Sequence, residues 1–200
     1  MRPIDHDKRR QRILEEALKL FAKDGYQATT LTKIAEASRC PRTMLYRYFS
    51  SKREIFKYTV HLVTQELAAK YANIEKAPGT SYEKLQRVME DVLDCVFAQS
   101  TLLTVILDFV LSTRRTGHSP SRIIARHTYG LRVLLHRLIM AGIRRREIRP
   151  LPVSTAVNLL YSQMEAAILR ITISDNADRE EILSTIQKIL LWMRAEEKNK

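Results

Sequence analysis

Two stretches constrain this chain more than any others: Thr29-Thr30-Leu31-Thr32-Lys33-Ile34-Ala35 and then Leu45-Tyr46-Arg47-Tyr48-Phe49-Ser50-Ser51-Lys52. Thr30 suits a helix N-cap, because its hydroxyl can accept from an otherwise orphaned amide of the first turn. Leu31, Ile34 and Ala35 form one apolar face at helical spacing, and Ala35 is small where a second helix would have to cross closely. Pro41 fixes its own φ and disfavours helix at Cys40, so the chain is expected to turn near Arg39–Cys40 and restart at Pro41. The restarted helix buries Leu45 and exposes Arg42, Thr43, Tyr46 and Arg47. The two elements read as a helix-turn-helix whose second helix can enter a major groove.

Charge points the same way. A net charge of +12 and a pI of about 9.9 imply an anionic partner, with nucleic acid the first choice. The excess is uneven: residues 1–53 carry 13 Lys and Arg against 6 Asp and Glu, and residues 101–150 carry 10 against 2. No apolar run approaches the roughly 20 residues of a membrane span. The longest, Val105 to Leu111, is interrupted by Asp108. The amino terminus has no signal-peptide pattern, and Cys40 and Cys95 form no CxxC pair. These features imply a soluble, cytoplasmic protein whose cysteines are small buried residues. The chain has no glycine-rich phosphate loop, nucleophile elbow or clustered catalytic side chains, so it reads as a non-enzyme. The histidines lack metal-ligand spacing, and nothing calls for a metal or a cofactor.

With five glycines, six prolines and no alternating strand pattern, the expected fold is all-α with about nine helices. Residues 1–53 read as an amino-terminal three-helix DNA-binding domain, and residues 54–200 as a second helical domain that carries the dimerisation stripes. The first helix buries Ile13, Leu14, Ala17, Leu18 and Phe21 and stops at Asp24-Gly25. A long fourth helix opens at Lys52 and ends before Ala77-Pro78-Gly79. Thr80 and Glu83 predict a capping box for the fifth. Ser119 and Pro120 cap the seventh, Pro150 and Pro152 precede the eighth, and Asp178 with Glu181 starts the ninth.

The last two helices carry narrow stripes. Val157, Tyr161, Met164, Ile168 and Ile171 are spaced 4-3-4-3, and Ile182, Ile186, Ile189 and Met193 are spaced 4-3-4. Such seams suit a helix–helix interface, and two helices from each of two subunits would close a four-helix bundle. A homodimer is expected from this pattern.

The segment Glu16 to Thr30, with Ile34-Ala35, Leu45 to Phe49 and Ser51-Lys52, resembles the amino-terminal domain of TetR-type transcriptional regulators. That resemblance implies a homodimer on a short palindromic operator, usually a repressor, released when a small molecule enters the carboxy-terminal domain. It places phosphate contacts on Thr30, Tyr46, Tyr48 and Lys52 and base contacts on Arg42, Thr43 and Arg47. Thr32, Lys33 and Arg39 complete the expected DNA-facing set. A non-specific DNA-coating protein is the alternative, because positive charge alone can hold DNA.

Three departures from the family pattern stand out. Arg39 occupies the turn position that usually holds glycine, Pro41 replaces a common serine cap, and Thr43-Met44 replaces a frequent Gly-Thr. The effector is expected among Val92, Cys95, Val96, Ile106, Leu107, Val110, Leu131 and Leu135, with His127 as a candidate polar anchor. Asp108, on a stripe with Thr101, Thr104 and Ser112, reads as a solvent-facing edge. Arg114, Arg115, Arg122 and Arg126 are candidates to rim the pocket, which would favour an anionic amphiphile.

Overall fold

A computed structural model describes residues 3–115, 117, 121–174 and 176–196, with side chains for all of these but 3–5, 62–67 and 121–128. The expected cap at Ser119-Pro120 therefore lies outside the described residues. Nine helices follow one another among those described: α1 (Pro3–Ala28), α2 (Leu31–Ala37), α3 (Arg42–Tyr48), α4 (Lys52–Lys76), α5 (Ser81–Ala98), α6 (Ser100–Arg115), α7 (Ser121–Arg144), α8 (Val153–Ile173) and α9 (Arg179–Met193). The all-α expectation holds.

The local signals act as anticipated. Gly25 breaks α1 with φ 80° and ψ 160°, a conformation that costs glycine little and other residues more. The Thr30 hydroxyl accepts from the Lys33 amide at 3.2 Å and starts α2. Thr80 and Glu83 form the full capping box at α5. Asp178 caps α9 by accepting from the amides of Glu180 and Glu181. The Glu181 carboxylate, however, does not return to the cap but pairs with Arg170 at 3.0 Å.

The chain forms two compact units, residues 1–65 with 101–125 and residues 66–100 with 126–200. The first unit thus extends beyond the segment 1–53 read from the sequence. It includes α6, whose Leu102, Val105 and Phe109 share a core with Ile13, Phe21, Ile34, Leu45, Phe49 and Phe56. Rings dominate this core. Phe56 stacks on Phe109 with centroids 4.2 Å apart, and Tyr26 meets Phe109 edge-on at 4.8 Å. Burying each such ring contributes about 1.5–3 kcal/mol.

In the second unit α5 packs against α8 and α9, and α8 against α9. Leu85, Val88, Met89, Val92, Leu93 and Val96 fill the α5 side. From α8 come Val157, Leu160, Tyr161 and Met164, and from α9 Ile182, Ile186, Leu190 and Met193.

Most of the seam read from the sequence faces inward within the single chain. Val157, Tyr161, Met164, Ile182, Ile186 and Met193 are buried within the single chain, and Ile168, Ile171 and Ile189 are partly so. A 4-3 stripe is equally the inward face of an amphipathic helix, and here α5 covers it. The exposed apolar residues lie on another face. Leu159, Ala166, Leu169 and Ile173 follow one another along α8 at a 7-3-4 spacing, with Leu169 49% and Ile173 73% exposed. Leu159 joins Thr185, Lys188, Ile189 and Trp192 of α9 around an open groove of about 340 Å³.

Candidate nucleic-acid interface

The helix-turn-helix is built from inside out. Ile34 and Ala35 of α2 and Leu45 of α3 are buried, which holds the two short helices by their inner faces. The opposite face of α3 leaves Arg42, Thr43, Tyr46 and Arg47 exposed, as their spacing implied. Between the helices, the buried Ser38 hydroxyl donates to the Ile34 carbonyl at 2.7 Å, and the Cys40 amide bonds the Ala35 carbonyl at 2.9 Å. Arg39 stands exposed at φ 50°, the left-handed conformation that glycine would adopt more cheaply. Pro41 begins α3 without a side-chain cap. An arginine, a threonine methyl, a tyrosine and a second arginine thus project from a helix narrow enough for a major groove.

The chain matches the family of bacterial regulatory proteins of tetR type over residues 13–59. It is 23% identical over 94% of its length, and 91% of the other chain, to the uncharacterized HTH-type transcriptional regulator YfiR of Bacillus subtilis. It is 33% identical over 48% of its length, and 47% of the other chain, to the HTH-type transcriptional repressor KstR of Mycolicibacterium smegmatis. Among solved structures it is similar to the transcriptional regulator FadR of Bacillus subtilis in complex with stearoyl-CoA. That likeness has a TM-score of 0.72 at 20% identity, covering 92% of this chain and 97% of the other. Residues 13–59 are a TetR-type amino-terminal domain.

Within this TetR-type domain the remaining DNA-facing candidates are differently placed. Thr30 is exposed, though its hydroxyl already serves the cap; Thr32 is half-buried. Lys33 is exposed and pairs with Asp24 at 2.7 Å, a contact that holds the Asp24 carboxyl below its ordinary range. The Tyr48 hydroxyl lies 2.7 Å from Nδ1 of His6, so the first turn of α1 orients it. Lys52 faces inward: its ammonium donates to the carbonyls of Tyr26 at 2.6 Å, Gln27 at 3.1 Å and Thr29 at 2.7 Å. Burial draws its pKa down, and the Asp108 carboxylate works against that. Asp108 is itself a correction. It does not sit on a solvent-facing edge but accepts from the Tyr26 amide at 2.6 Å. The only signal of this role in the sequence was a charge interrupting an apolar run.

The expected effector residues divide between the two units. Ile106 and Val110 pack on the core of the first unit, and Leu107 of the same helix is half-buried. Val92, Val96, Leu131 and Leu135 are buried in the second, with Cys95 half-buried. His127, Arg122 and Arg126 lie outside the residues whose side chains are described. Arg114 and Arg115 are exposed in the last turn of α6, where cations favour the helix dipole. A second groove of about 1210 Å³, lined in part by Tyr82, Arg146, Arg149 and Trp192, includes none of the nine candidates. Among the described residues no single helix is long and apolar enough to cross a membrane.

Proposed function

We propose that this TetR-type protein is a ligand-responsive repressor that binds a short palindromic operator as a homodimer and leaves it when a small molecule binds. The observation that carries the reading is α3, anchored by buried Leu45 and presenting Arg42, Thr43, Tyr46 and Arg47 outward. Arginine can bond a guanine edge bidentately, and a threonine methyl can sit against thymine. Tyr46 and Tyr48 of this helix, with Thr30, Thr32, Lys33 and Arg39 before it, are candidates for the phosphate contacts that position it without reading sequence. One short recognition helix covers few base pairs, so two-fold pairing is needed for specificity. The exposed apolar face of Leu159, Leu169 and Ile173 with Trp192 is the surface fitted to that pairing.

For the effector, the reading favours an anionic amphiphile such as a fatty acid or acyl-CoA. Two things support it: the arginines ending α6, and the stearoyl-CoA bound by the FadR relative of the same fold. The ligand releases DNA only if it binds the DNA-free conformation better than the DNA-bound one.

The test is selection of bound fragments from genomic DNA by the full chain. Recovered fragments sharing an inverted repeat support the reading. Fragments with no common sequence would return the protein to non-specific coating.

A further inference from the structure

The corner between α1 and α2 is gripped by two opposite charges from outside the helix-turn-helix. Gly25 leaves the helical conformation, so the backbone groups that follow must find partners elsewhere. The Thr29 hydroxyl, fully buried, returns to the Gly25 carbonyl at 2.8 Å. Lys52 of α4 satisfies the carbonyls of Tyr26, Gln27 and Thr29. Asp108 of α6 satisfies the Tyr26 amide from the other element, and its Oδ2 would lie 3.3 Å from a Cβ at Gly25. Between them the Tyr26 ring is enclosed by Phe21, Phe56 and Phe109, with the Lys52 ammonium 4.5 Å from its centroid.

Two features give this clamp a purpose beyond filling space. An ammonium has three N–H donors, and all three carbonyls here lie within bonding distance, so a phosphate could take one only by breaking an internal bond. A carboxylate on a largely apolar helix is costly unless partnered, and its partner here is the corner itself. The corner leads directly into Thr30, the cap of α2, and α2 carries α3.

We propose that Lys52 and Asp108 are positioning residues for DNA binding: they clamp the backbone of residues 25–29 and so fix the stance of α2 and α3. Lys52 spends its donors inside the protein and none on a phosphate. The proposal rests on the reading of α3 as the DNA-reading helix.

The experiment measures operator affinity against salt concentration for the full chain and for Asp108→Asn, Lys52→Met and Lys52→Arg, each checked for helicity. Removing the Asp108 charge should strengthen DNA attraction if only net charge matters. The clamp instead weakens binding, on the order of tenfold, because a neutral carboxamide oxygen accepts from the Tyr26 amide more weakly than the charged carboxylate does. Lys52→Met is expected to lower affinity while leaving the salt slope unchanged, whereas losing a phosphate contact would reduce it by about one charge. Lys52→Arg keeps a cation for a phosphate but not the compact ammonium, and should also bind more weakly. Asp108→Asn binding as well as the parent, or a one-charge fall in slope for Lys52→Met, overturns the clamp. Should one variant fail to fold, the others decide. If the parent selects no DNA, the reading of α3 falls first. Amide exchange at Tyr26 then tests the clamp alone: acceleration in Asp108→Asn sustains it, and an unchanged rate ends it.

Discussion

Arg39 carries backbone strain at an exposed turn, and among the described residues no hydrogen bond or ion pair of its side chain offsets it. Its φ of 50° is the conformation for which the left-handed region penalises an L-residue by roughly 1–2 kcal/mol. Arg39→Gly should therefore raise stability, by about 1 kcal/mol less the extra entropy glycine brings to the unfolded chain. Urea unfolding of the free protein measures this. If the arginine serves a phosphate, the same variant loses operator affinity while gaining stability. At Arg42 the expectation differs in kind. Arg42→Ala should relax discrimination at particular operator positions by about 1–3 kcal/mol and change non-specific binding little. Equal losses on operator and random DNA would remove Arg42 from the groove.

The helices of the second unit show how one periodicity can serve two purposes. The stripe through Met164 faces α5, so Met164→Lys buries an unpaired charge and should destabilise the fold by several kcal/mol. Leu169→Glu alters the exposed face of the same helix. It should leave helicity and thermal stability of the chain nearly intact while converting dimers to monomers in sedimentation. A dimer surviving Leu169→Glu would place the interface elsewhere. The caps make a separate prediction about pH. Glu83 accepts from the Thr80 amide at 2.8 Å, and Glu54 accepts from Ser50 at 2.6 Å. These bonds hold both carboxyls below their ordinary range. A depressed carboxyl contributes stability above its unfolded pKa and loses it as pH falls through the folded value. Melting temperature should therefore decline on acidification below the usual carboxylate range, and the decline should be smaller in Glu83→Gln with Glu54→Gln. An undiminished decline in that double variant would assign the acid sensitivity to other groups.

For the whole molecule, the net charge of +12 favours attraction to DNA, and the effector of the proposed function would work against it. Titrating acyl-CoAs, free fatty acids and lipophilic cations against the protein–operator complex separates ligand classes. Release by the anions is expected, and Arg114→Glu with Arg115→Glu should blunt it. Release by cations alone would eliminate the anionic amphiphile.

Local chemistry was legible in the chain itself. Thr30, the Thr80–Glu83 pair, Asp178, Gly25 and the Arg39–Pro41 turn each act through atoms a few residues away, so their sequence neighbourhood was enough to determine them. The exposed side of α3 followed as well, because burying Leu45 on a seven-residue helix leaves Arg42, Thr43, Tyr46 and Arg47 on the side away from the core. Tertiary structure decided the rest. Which stripe of α8 faces inward depends on α5, some 70 residues earlier, and hydrophobic periodicity cannot say what will cover it. Lys52 and Asp108 each look solvent-facing in one dimension. Their roles come from a corner of backbone 26 and 82 residues away that leaves its polar groups unpaired, and only the folded chain brings those groups within reach.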